Sequence, residues 1–359
     1  MVVTGTRAEF GLLKPVMDAI AAKPNLSLIT AVTGLHLTCS SWRDIVNNGF
    51  SIDARVRMQR CNETGRESDV AALARGVSGF GRLIGRIKPD VVLVLGDRIE
   101  VLAASSAASV MGVHIAHIHG GDRAEGVADE SIRHAVSKMA HIHFPATAES
   151  KKRLVKIGEQ PNHIYQVGSP AIDGLKAIKP HPDPPFCVIA QHPIGKSDSC
   201  ERKWMTETLA AVQELIKSVS GGPWILLIGP NNDPGSDGIR GALRMKAGKG
   251  HLARDKFLPL LAGARLVVGN SSAGLIEAAA LKTACVNIGP RQAGREKPDN
   301  VIDCDYGKAN ALKAMKKALK LDLRKLRHPY GSGKSGERIA EVLAGIELEG
   351  ISVRKRNSF

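Results

Sequence analysis

The sequence is poor in aromatic residues and contains no long apolar run. Phe, Trp and Tyr together make up 4% of the 359 residues, which leaves few rings to stack on nucleic-acid bases. No apolar run approaches the roughly 20 residues that a membrane span needs. Residues 1–7 lead straight into a predicted strand, without the basic and apolar pattern of a leader. These absences predict a cytoplasmic protein with no membrane partner.

The six cysteines show no spacing typical of a metal site. They are scattered along the chain, no two form a CxxC pair, and several lie in apolar runs. Cysteines in such settings are usually small buried thiols. We therefore expect no metal and no cofactor.

Positive charge is in excess, with a formal net charge of +15 and a pI of about 9.7. This excess indicates an anionic partner, either a phosphorylated small molecule or a nucleic acid. The charge is spread along the chain apart from Arg354-Lys355-Arg356, and no nucleic-acid recognition motif accompanies it. The composition therefore favours a phosphorylated small molecule over nucleic acid.

Apolar strands alternate repeatedly with helical patterns, which predicts mostly parallel, doubly wound sheets. Residues 179–185 contain four prolines and interrupt the alternation, which restarts at Phe186. We predict an α/β protein with two Rossmann-like domains. The predicted parts are an N-terminal domain at 1–178, a Pro-rich linker at 179–185, a C-terminal domain at 186–345 and a basic tail at 346–359.

Polar residues follow two predicted strands of the first domain. Asp97 comes just after the apolar strand at 91–95, and His119 ends the strand at 113–118. Ligands bind at the carboxyl ends of parallel strands in open α/β sheets. Seven titratable side chains then fall between Asp122 and His134, a density that a purely structural loop does not need. We interpret residues 95–134 as one wall of an active site.

Two loops of the second half have the composition of a phosphate site. Gln191-His192-Pro193 follows one predicted strand, and the run 269–274, rich in Gly and Ser, follows another. A helix is predicted at 275–281, directly after the second loop. Small residues let backbone N–H groups approach a phosphate, and a helix N-terminus attracts it.

Seven stretches, in this order and spacing, closely resemble the UDP-N-acetylglucosamine 2-epimerases, and within them the hydrolysing branch of the sialic-acid pathway. The resemblance covers roughly residues 2 to 345. The stretches are Gly5-Thr6-Arg7-Ala8-Glu9, Leu95-Gly96-Asp97-Arg98, His119-Gly120-Gly121-Asp122, Asp129-Glu130-Ser131-Ile132-Arg133-His134, Gln191-His192-Pro193, Gly269-Asn270-Ser271-Ser272 and the run 287–295.

The branch assignment depends on Gly96-Asp97-Arg98 and on Ser131-Ile132-Arg133-His134, where the non-hydrolysing epimerases typically have Gly-Asp-Thr and Glu-Ala-Asn-Arg. The resemblance implies a GT-B-like fold, in which the parallel sheets of two Rossmann-like domains face a central cleft. It implies a UDP-sugar substrate, elimination of UDP to a glycal and rehydration to N-acetylmannosamine. It also suggests a homo-oligomer, a dimer or a tetramer.

The resemblance assigns the catalytic acids to Asp97 and Asp129, although each aspartate is also well suited to cap the helix that follows it. His119 departs from the family, which usually has a glutamate there. Either His119 serves as the base or Asp122 has replaced the glutamate, and a structural, hydrogen-bonded histidine remains an alternative. Arg133, which is counted with the catalytic residues, and His134 are expected to line the sugar pocket, and a charge on the helix face is the alternative for both.

The resemblance assigns nucleotide binding to six further residues. Arg7 and His192 match residues near the diphosphate, the two serines bind the diphosphate, and the glutamate binds the ribose hydroxyls. The alternatives are a surface salt bridge for Arg7, a helix cap for the serines and an exposed helical charge for the glutamate. The substrate-binding set is Arg7, His192, Ser271, Ser272, Glu277 and Arg291.

Four alternatives for the function remain open. The first three are the same reaction on a UDP-2,4-diacetamido-2,4,6-trideoxyhexose, non-hydrolysing epimerisation, and a GT-B-type glycosyltransferase. The acidic cluster at 122–130 and the Gly-Asp-Arg motif argue against the glycosyltransferase. The fourth is a nucleotide-sugar sensor without catalysis, which the departure at His119 keeps open.

Overall fold

The structure is a computed structural model that describes residues 1–61, 63, 65–124, 129–218, 224–231, 233–245 and 252–358. The described strands pair in parallel, and helices connect them. The strands of the described residues are β1 (Val2–Thr4), β2 (Thr30–Thr33), β3 (Ala54–Val56), β4 (Val91–Leu95), β5 (His114–Ile118), β6 (Ile142–Phe144), β7 (Cys187–Ala190), β8 (Ile225–Leu227), β9 (Leu266–Gly269), β10 (Ala284–Ile288) and β11 (Val301–Cys304).

Several helices begin after a side chain that caps them. The Thr6 side chain, for example, accepts a hydrogen bond from the Glu9 N–H and so caps the first helix, Arg7–Ala21. The α-helices of the described residues are α1 (Arg7–Ala21), α2 (Leu35–Thr38), α3 (Trp42–Asn47), α4 (Arg66–Ile87), α5 (Ile99–Val110), α6 (Asp129–Met139), α7 (Ala148–Lys156), α8 (Asp198–Ile216), α9 (Ser236–Leu243), α10 (Arg254–Gly263), α11 (Glu277–Ala280), α12 (Lys308–Ala318) and α13 (Ser335–Gly345).

The chain divides into two units, each with its own sheet. Within the described residues, the first unit contains 1–122, 129–173 and 330–358, and the second contains 123–124 and the described part of 174–329. The first sheet has the order β3-β2-β1-β4-β5-β6 and the second the order β11-β10-β9-β7-β8.

Each sheet has a point where the strand order reverses. It lies between β1 and β4 in the first unit and between β7 and β9 in the second. The loops at the carboxyl ends of these strands carry Arg7 and Asp97 in the first unit, and His192 and Ser271 in the second. Because ligands bind at such reversal points in doubly wound sheets, the topology favours the loops that the sequence analysis selected.

The C-terminal part of the chain differs from the predicted domain boundaries. Residues 330–345 were expected in the second domain, but they lie in the first unit. The Asp173 carboxylate accepts hydrogen bonds from the Ser335 and Gly336 N–H groups at 2.9 and 2.7 Å, and so caps α13. Gly336 packs against the backbone of Pro15, so closely that a Cβ there would collide with it. This contact holds α13 against α1.

The predicted Pro-rich linker also differs from the structure, because residues 179–185 belong to the second unit, which begins at Gly174. The His181 N–H donates to the Pro259 carbonyl at 2.9 Å, and Pro184 packs against Gly263 of α10. The prolines therefore form part of a packed surface rather than a free connection. In the part of the chain that the structure describes, no helix has the length and apolar character needed to span a bilayer.

Candidate functional site

Asp97 lies directly after β4 and forms an ion pair with Arg133 of α6. The Asp97 side chain is 21% exposed, whereas that of Arg133 is only 3% exposed. The N-cap of α5 is Arg98, so Asp97 does not occupy the capping position that was its alternative role. A buried guanidinium therefore holds a partly accessible carboxylate at the reversal point of the first sheet, through a strong charge-assisted contact.

His119 and Asp122, which the sequence analysis treated as alternatives, form one hydrogen-bonded pair. His119 Nδ1 lies 2.9 Å from Asp122 Oδ2, and His119 Nε2 lies 3.0 Å from Ser169 Oγ. The other oxygen of Asp122 accepts a hydrogen bond from Ser150 Oγ at 2.7 Å. Both side chains are buried, and a carboxylate in this position sets the tautomer and orientation of the imidazole.

Asp129 begins α6, but its side chain and residues 125–128 lie outside the described part of the chain. Its assignment as a catalytic acid therefore stays a prediction. On the same helix, His134 lies 3.2 Å from the Glu130 carboxylate, one turn away. Of the two residues expected to line the sugar pocket, Arg133 pairs with Asp97 and His134 with its helical neighbour.

Two buried carboxyl groups near the β1 loop were not selected from the sequence. Glu9 Oε2 accepts the Gly5 N–H at 2.6 Å, while Glu9 Oε1 is buried with no hydrogen-bond partner among the described residues. Burial raises the pKa of Glu9 to about 8, and the negative charge of Glu100 adds to this rise. Glu100, 1% exposed, accepts hydrogen bonds from Gln59 at 2.7 Å and Arg98 at 3.3 Å.

A signal for these two acids was present in the sequence. Glu9 shares the buried face of α1 with Leu13 and Val16, and Glu100 begins the largely buried helix α5. A carboxyl group on an apolar helix face is costly to bury unless its surroundings compensate for it, so it marks a position with a special role.

Arg7 is the first residue of α1, and its Nε lies 2.5 Å from the carboxylate of Asp44. This is the salt bridge that was the alternative to phosphate binding. Both side chains are about one-third exposed or more, so the contact is weak and open to competition by an anion.

Asn270 organises the corresponding edge of the second unit. Its side-chain oxygen accepts the His192 N–H at 2.7 Å and its side-chain nitrogen donates to the His192 carbonyl at 2.8 Å. The Asn270 carbonyl in turn accepts hydrogen bonds from Gln292 at 2.8 Å and Arg291 at 3.3 Å. Asn270 is buried and therefore joins His192 and Arg291 to the serine loop, although the sequence analysis gave it no role.

The predicted helix at 275–281 is wrong in its extent. The structure has a 3₁₀ turn at Ser272–Gly274, capped by Ser271, followed by the four-residue helix α11. The Asn300 side chain donates to the Gly274 carbonyl at 3.1 Å and the Thr283 carbonyl at 2.9 Å, so the Gly274 carbonyl is satisfied from outside a helix. The dipole of so short a helix is small and attracts a phosphate at Ser271 and Ser272 only weakly.

Glu277, in α11, is 6% exposed, which rules out the exposed helical charge that was its alternative. Its Oε1 accepts a hydrogen bond from Arg254 Nη1 at 2.8 Å. The carboxylate is therefore held in one orientation, as a group that binds paired hydroxyls needs to be.

Within the described residues, no group of three or more His, Cys, Asp and Glu side chains could hold a metal ion. The expectation of a reaction without a metal or cofactor stays a prediction.

Comparisons with known proteins agree with one another. A family model described as UDP-N-acetylglucosamine 2-epimerase matches residues 18–344. The UDP-N,N'-diacetylbacillosamine 2-epimerase (hydrolyzing) of Legionella pneumophila is 34% identical over 99% of this chain and 98% of the relative. The UDP-N-acetylglucosamine 2-epimerase of Neisseria meningitidis serogroup B is 30% identical over 99% of this chain and 97% of the relative.

A solved structure supports the same fold. The UDP-GlcNAc 2-epimerase of Methanocaldococcus jannaschii, in complex with UDP-GlcNAc and UDP, superposes with a TM-score of 0.78 at 20% identity. The superposition covers 95% of this chain and 98% of that one. The predicted GT-B-like α/β fold class is thereby confirmed.

Proposed function

The chain belongs to the UDP-N-acetylglucosamine 2-epimerase family, and we propose that it is a hydrolysing member that converts UDP-N-acetylglucosamine and water to N-acetylmannosamine and UDP. The observation that carries this proposal is the Asp97–Arg133 ion pair at the reversal point of the first sheet. Gly96-Asp97-Arg98 and Ser131-Ile132-Arg133-His134 are also the motifs that favour the hydrolysing branch.

The reaction needs two proton transfers at carbon 2. In the first half, a base takes the C2 proton, the C1–O bond breaks and UDP leaves, which forms a glycal with a C1–C2 double bond. In the second half, water adds to C1 and a proton returns to the opposite face of C2. We assign these transfers to Asp97 and Asp129, with the hydrogen-bonded His119–Asp122 pair as a further acid–base group.

Arg133 has a separate role in this proposal. Because its guanidinium is almost fully buried beside Asp97, it keeps the carboxylate in a single orientation during turnover. We therefore assign it as the residue that positions the base, in addition to its expected place in the sugar pocket.

The second unit binds UDP in this proposal. Arg291 and His192 face the diphosphate, Ser271 and Ser272 donate to it, and Glu277 accepts hydrogen bonds from the ribose hydroxyls. The connections through Asn270 support this assignment, because they hold the His192 and Arg291 segments together before the ligand arrives. Arg7 is also assigned to phosphate in this proposal, because its exposed contact with Asp44 can be exchanged for an anion.

A second substrate is favoured by a specific observation. The Legionella pneumophila relative is named for UDP-N,N'-diacetylbacillosamine, which carries a second acetamido group at C4 of a 6-deoxy sugar. Both sugars have the C2 proton and the C1 diphosphate that the chemistry requires. Parallel assays with the two nucleotide sugars decide between them through the ratio of their kcat/KM values.

Product identification by NMR in heavy water tests the proposal. We expect free UDP and N-acetylmannosamine that carries deuterium at C2, with no product when the protein is omitted. UDP-N-acetylmannosamine as the end product would instead indicate the non-hydrolysing epimerase. Release of UDP that depends on an added sugar acceptor would indicate a glycosyltransferase. A dimer or tetramer also stays part of the proposal, and light scattering on the eluting protein measures it.

A further inference from the structure

The C-terminal tail, residues 346–358, is held against the first unit by specific contacts. The imidazole of His114 lies 2.8 Å from the Ile351 carbonyl, and that of His141 lies 3.1 Å from the Val353 carbonyl. The Ser358 N–H donates to the Gly158 carbonyl at 3.0 Å. The predicted basic tail therefore packs against the first unit over its described residues.

Lys355 is the centre of these contacts, and it caps the helix that carries Arg133. Its ammonium group donates to the carbonyls of Ser137 and Lys138 at 3.0 and 2.8 Å. These carbonyls lie at the last turn of α6, where no further turn provides N–H donors. The same ammonium pairs with Glu159, which is fully buried. A cation at the C-terminus of a helix satisfies its carbonyls and opposes its dipole.

Hydrogen bonds and short covalent links connect this cap to Asp97. The Ser137 side chain lies 3.2 Å from Nδ1 of His117, and Nε2 of the same imidazole lies 2.7 Å from the Gly96 carbonyl. Burial lowers the pKa of His117 to about 3, so the imidazole is neutral and donates from Nε2 to Gly96 while accepting from Ser137. Gly96 directly precedes Asp97, which pairs with Arg133 one turn back along α6.

We propose that Lys355 is a positioning residue for the reaction, which acts through the C-terminal end of α6 and His117 to hold the Asp97–Arg133 pair in its working geometry. The inference rests on the proposed function, since it takes Asp97 as a catalytic acid. Lys355 itself does not touch the substrate. Its contribution is to kcat rather than to UDP binding, which the proposal gives to the second unit.

The protonation of Lys355 should make kcat depend on pH, which a role in packing alone would not. Burial lowers its pKa to about 8, although Glu159 opposes this shift. The charged cap is therefore lost as the pH rises through about 8. The titratable and charged groups that face it are Glu159, Lys138, His141, His143 and His163. The pKa of Glu159 is about 2 and those of the three histidines are below their usual value, so none of these four titrates with Lys355.

The test compares Lys355→Met with Lys355→Arg and with the matched control Arg356→Met, which removes the same charge from the exposed neighbouring position. We expect Lys355→Met to lower kcat about 10- to 100-fold, as small displacements of catalytic groups do, while the Kd of UDP stays unchanged. Arg356→Met should match the wild type. Lys355→Arg should recover most of the rate and move the alkaline fall in kcat to higher pH, because arginine keeps its charge.

Hydrogen exchange adds a measurement that does not depend on turnover, and Lys355→Met should accelerate exchange at the C-terminal end of α6. Wild-type kcat and wild-type exchange in Lys355→Met would overturn the inference. An equal loss in Arg356→Met, or a parallel loss of UDP binding, would also overturn it. An Asp97→Asn variant that turns over normally would instead refute the proposed function, so the two failures are distinguishable.

Discussion

The loops at the carboxyl ends of the strands contain different kinds of side chain in the two sheets. In the first unit, ionisable side chains that are buried or only partly exposed lie next to one another: Asp97 with Arg133, His119 with Asp122, and Glu9 near Glu100. In the second unit, the neutral amide of Asn270 joins the corresponding loops, and backbone and hydroxyl groups close the serine loop, while the buried Glu277 pairs with Arg254.

The proposed roles of the two edges account for this difference. Burying a charge costs free energy even when it is paired, so a fold that needs only rigidity uses amides and hydroxyls. Groups that exchange protons with a substrate must be ionisable and must be shielded from water, and perturbed carboxyls therefore concentrate at such sites. A diphosphate carries its own charge, and oriented neutral donors with one or two cations are enough to bind it.

Asp97→Asn gives the largest expected effect, because it removes the ionisable group from the charged edge while it preserves the shape. We expect kcat to fall by about 10²–10⁴, the usual contribution of a general acid or base, with UDP binding intact. Asp90→Asn, at the exposed opposite end of β4, serves as the control. The comparison of the two edges fails if Asp97→Asn, shown to be folded by circular dichroism, loses UDP binding and keeps its rate.

Asn270→Ala should have the opposite effect, which is weaker UDP binding with little change in kcat. It removes both hydrogen bonds to the His192 backbone and leaves buried polar groups without partners, at a cost of about 1–3 kcal/mol. We expect the loss to weaken UDP binding by about 1.4 kcal/mol, which raises the Kd of UDP about 10-fold. The kcat at saturating substrate should change little. Calorimetric titration with UDP measures the effect, and Asn310→Ala, an exposed asparagine of the same unit, is the control. A change confined to kcat would contradict the division of roles.

Glu9→Gln has the smallest expected effect and concerns stability. Because the pKa of Glu9 is raised from 4.5 to about 8, its contribution is fully present below pH 4.5 and is lost as the pH rises through about 8. The variant should match the wild type near pH 4.5 and be more stable by about 1–3 kcal/mol above pH 8. Urea unfolding at several pH values measures this difference, with Glu67→Gln, an exposed acid in the first turn of α4, as the control. Parallel stability curves for wild type and Glu9→Gln would show that Glu9 ionises normally.

Local signals were sufficient for many elements of the fold. The strand predicted at 91–95 has these bounds in the structure, since it is a short apolar run that ends in a polar turn. The helix prediction at 275–281 was wrong in extent because a contact distant in sequence outweighed the local signal. Its residues favour a helix, but the contacts of Asn300, distant in sequence, satisfy the carbonyl that a helix would have used.

The sequence selected many residues of the candidate site, but it did not indicate which of them form ion pairs or hydrogen bonds with one another. Asp97 and Arg133 were both selected, but their pairing depends on the approach of α6 to the end of β4. His119 and Asp122 were separated as alternatives, because a sequence does not display that His119 adopts a left-handed φ of 65° and bonds to the aspartate. Asn270 was missed because its partners are 78 residues away along the chain.

The sequence by itself determined the α/β class and the family, and it selected the loops that are proposed to carry the chemistry. These properties depend on residue periodicity and on short motifs, which are local. The tertiary structure alone decided that the two sheets have different strand orders and that residues 330–358 return to the first unit. It also decided that Glu9 and Asn270 are buried and that the partly buried Lys355 contacts the end of α6. The physical reason is that burial and pairing are set by segments far apart in sequence, and desolvation changes the chemistry of a residue without changing its identity.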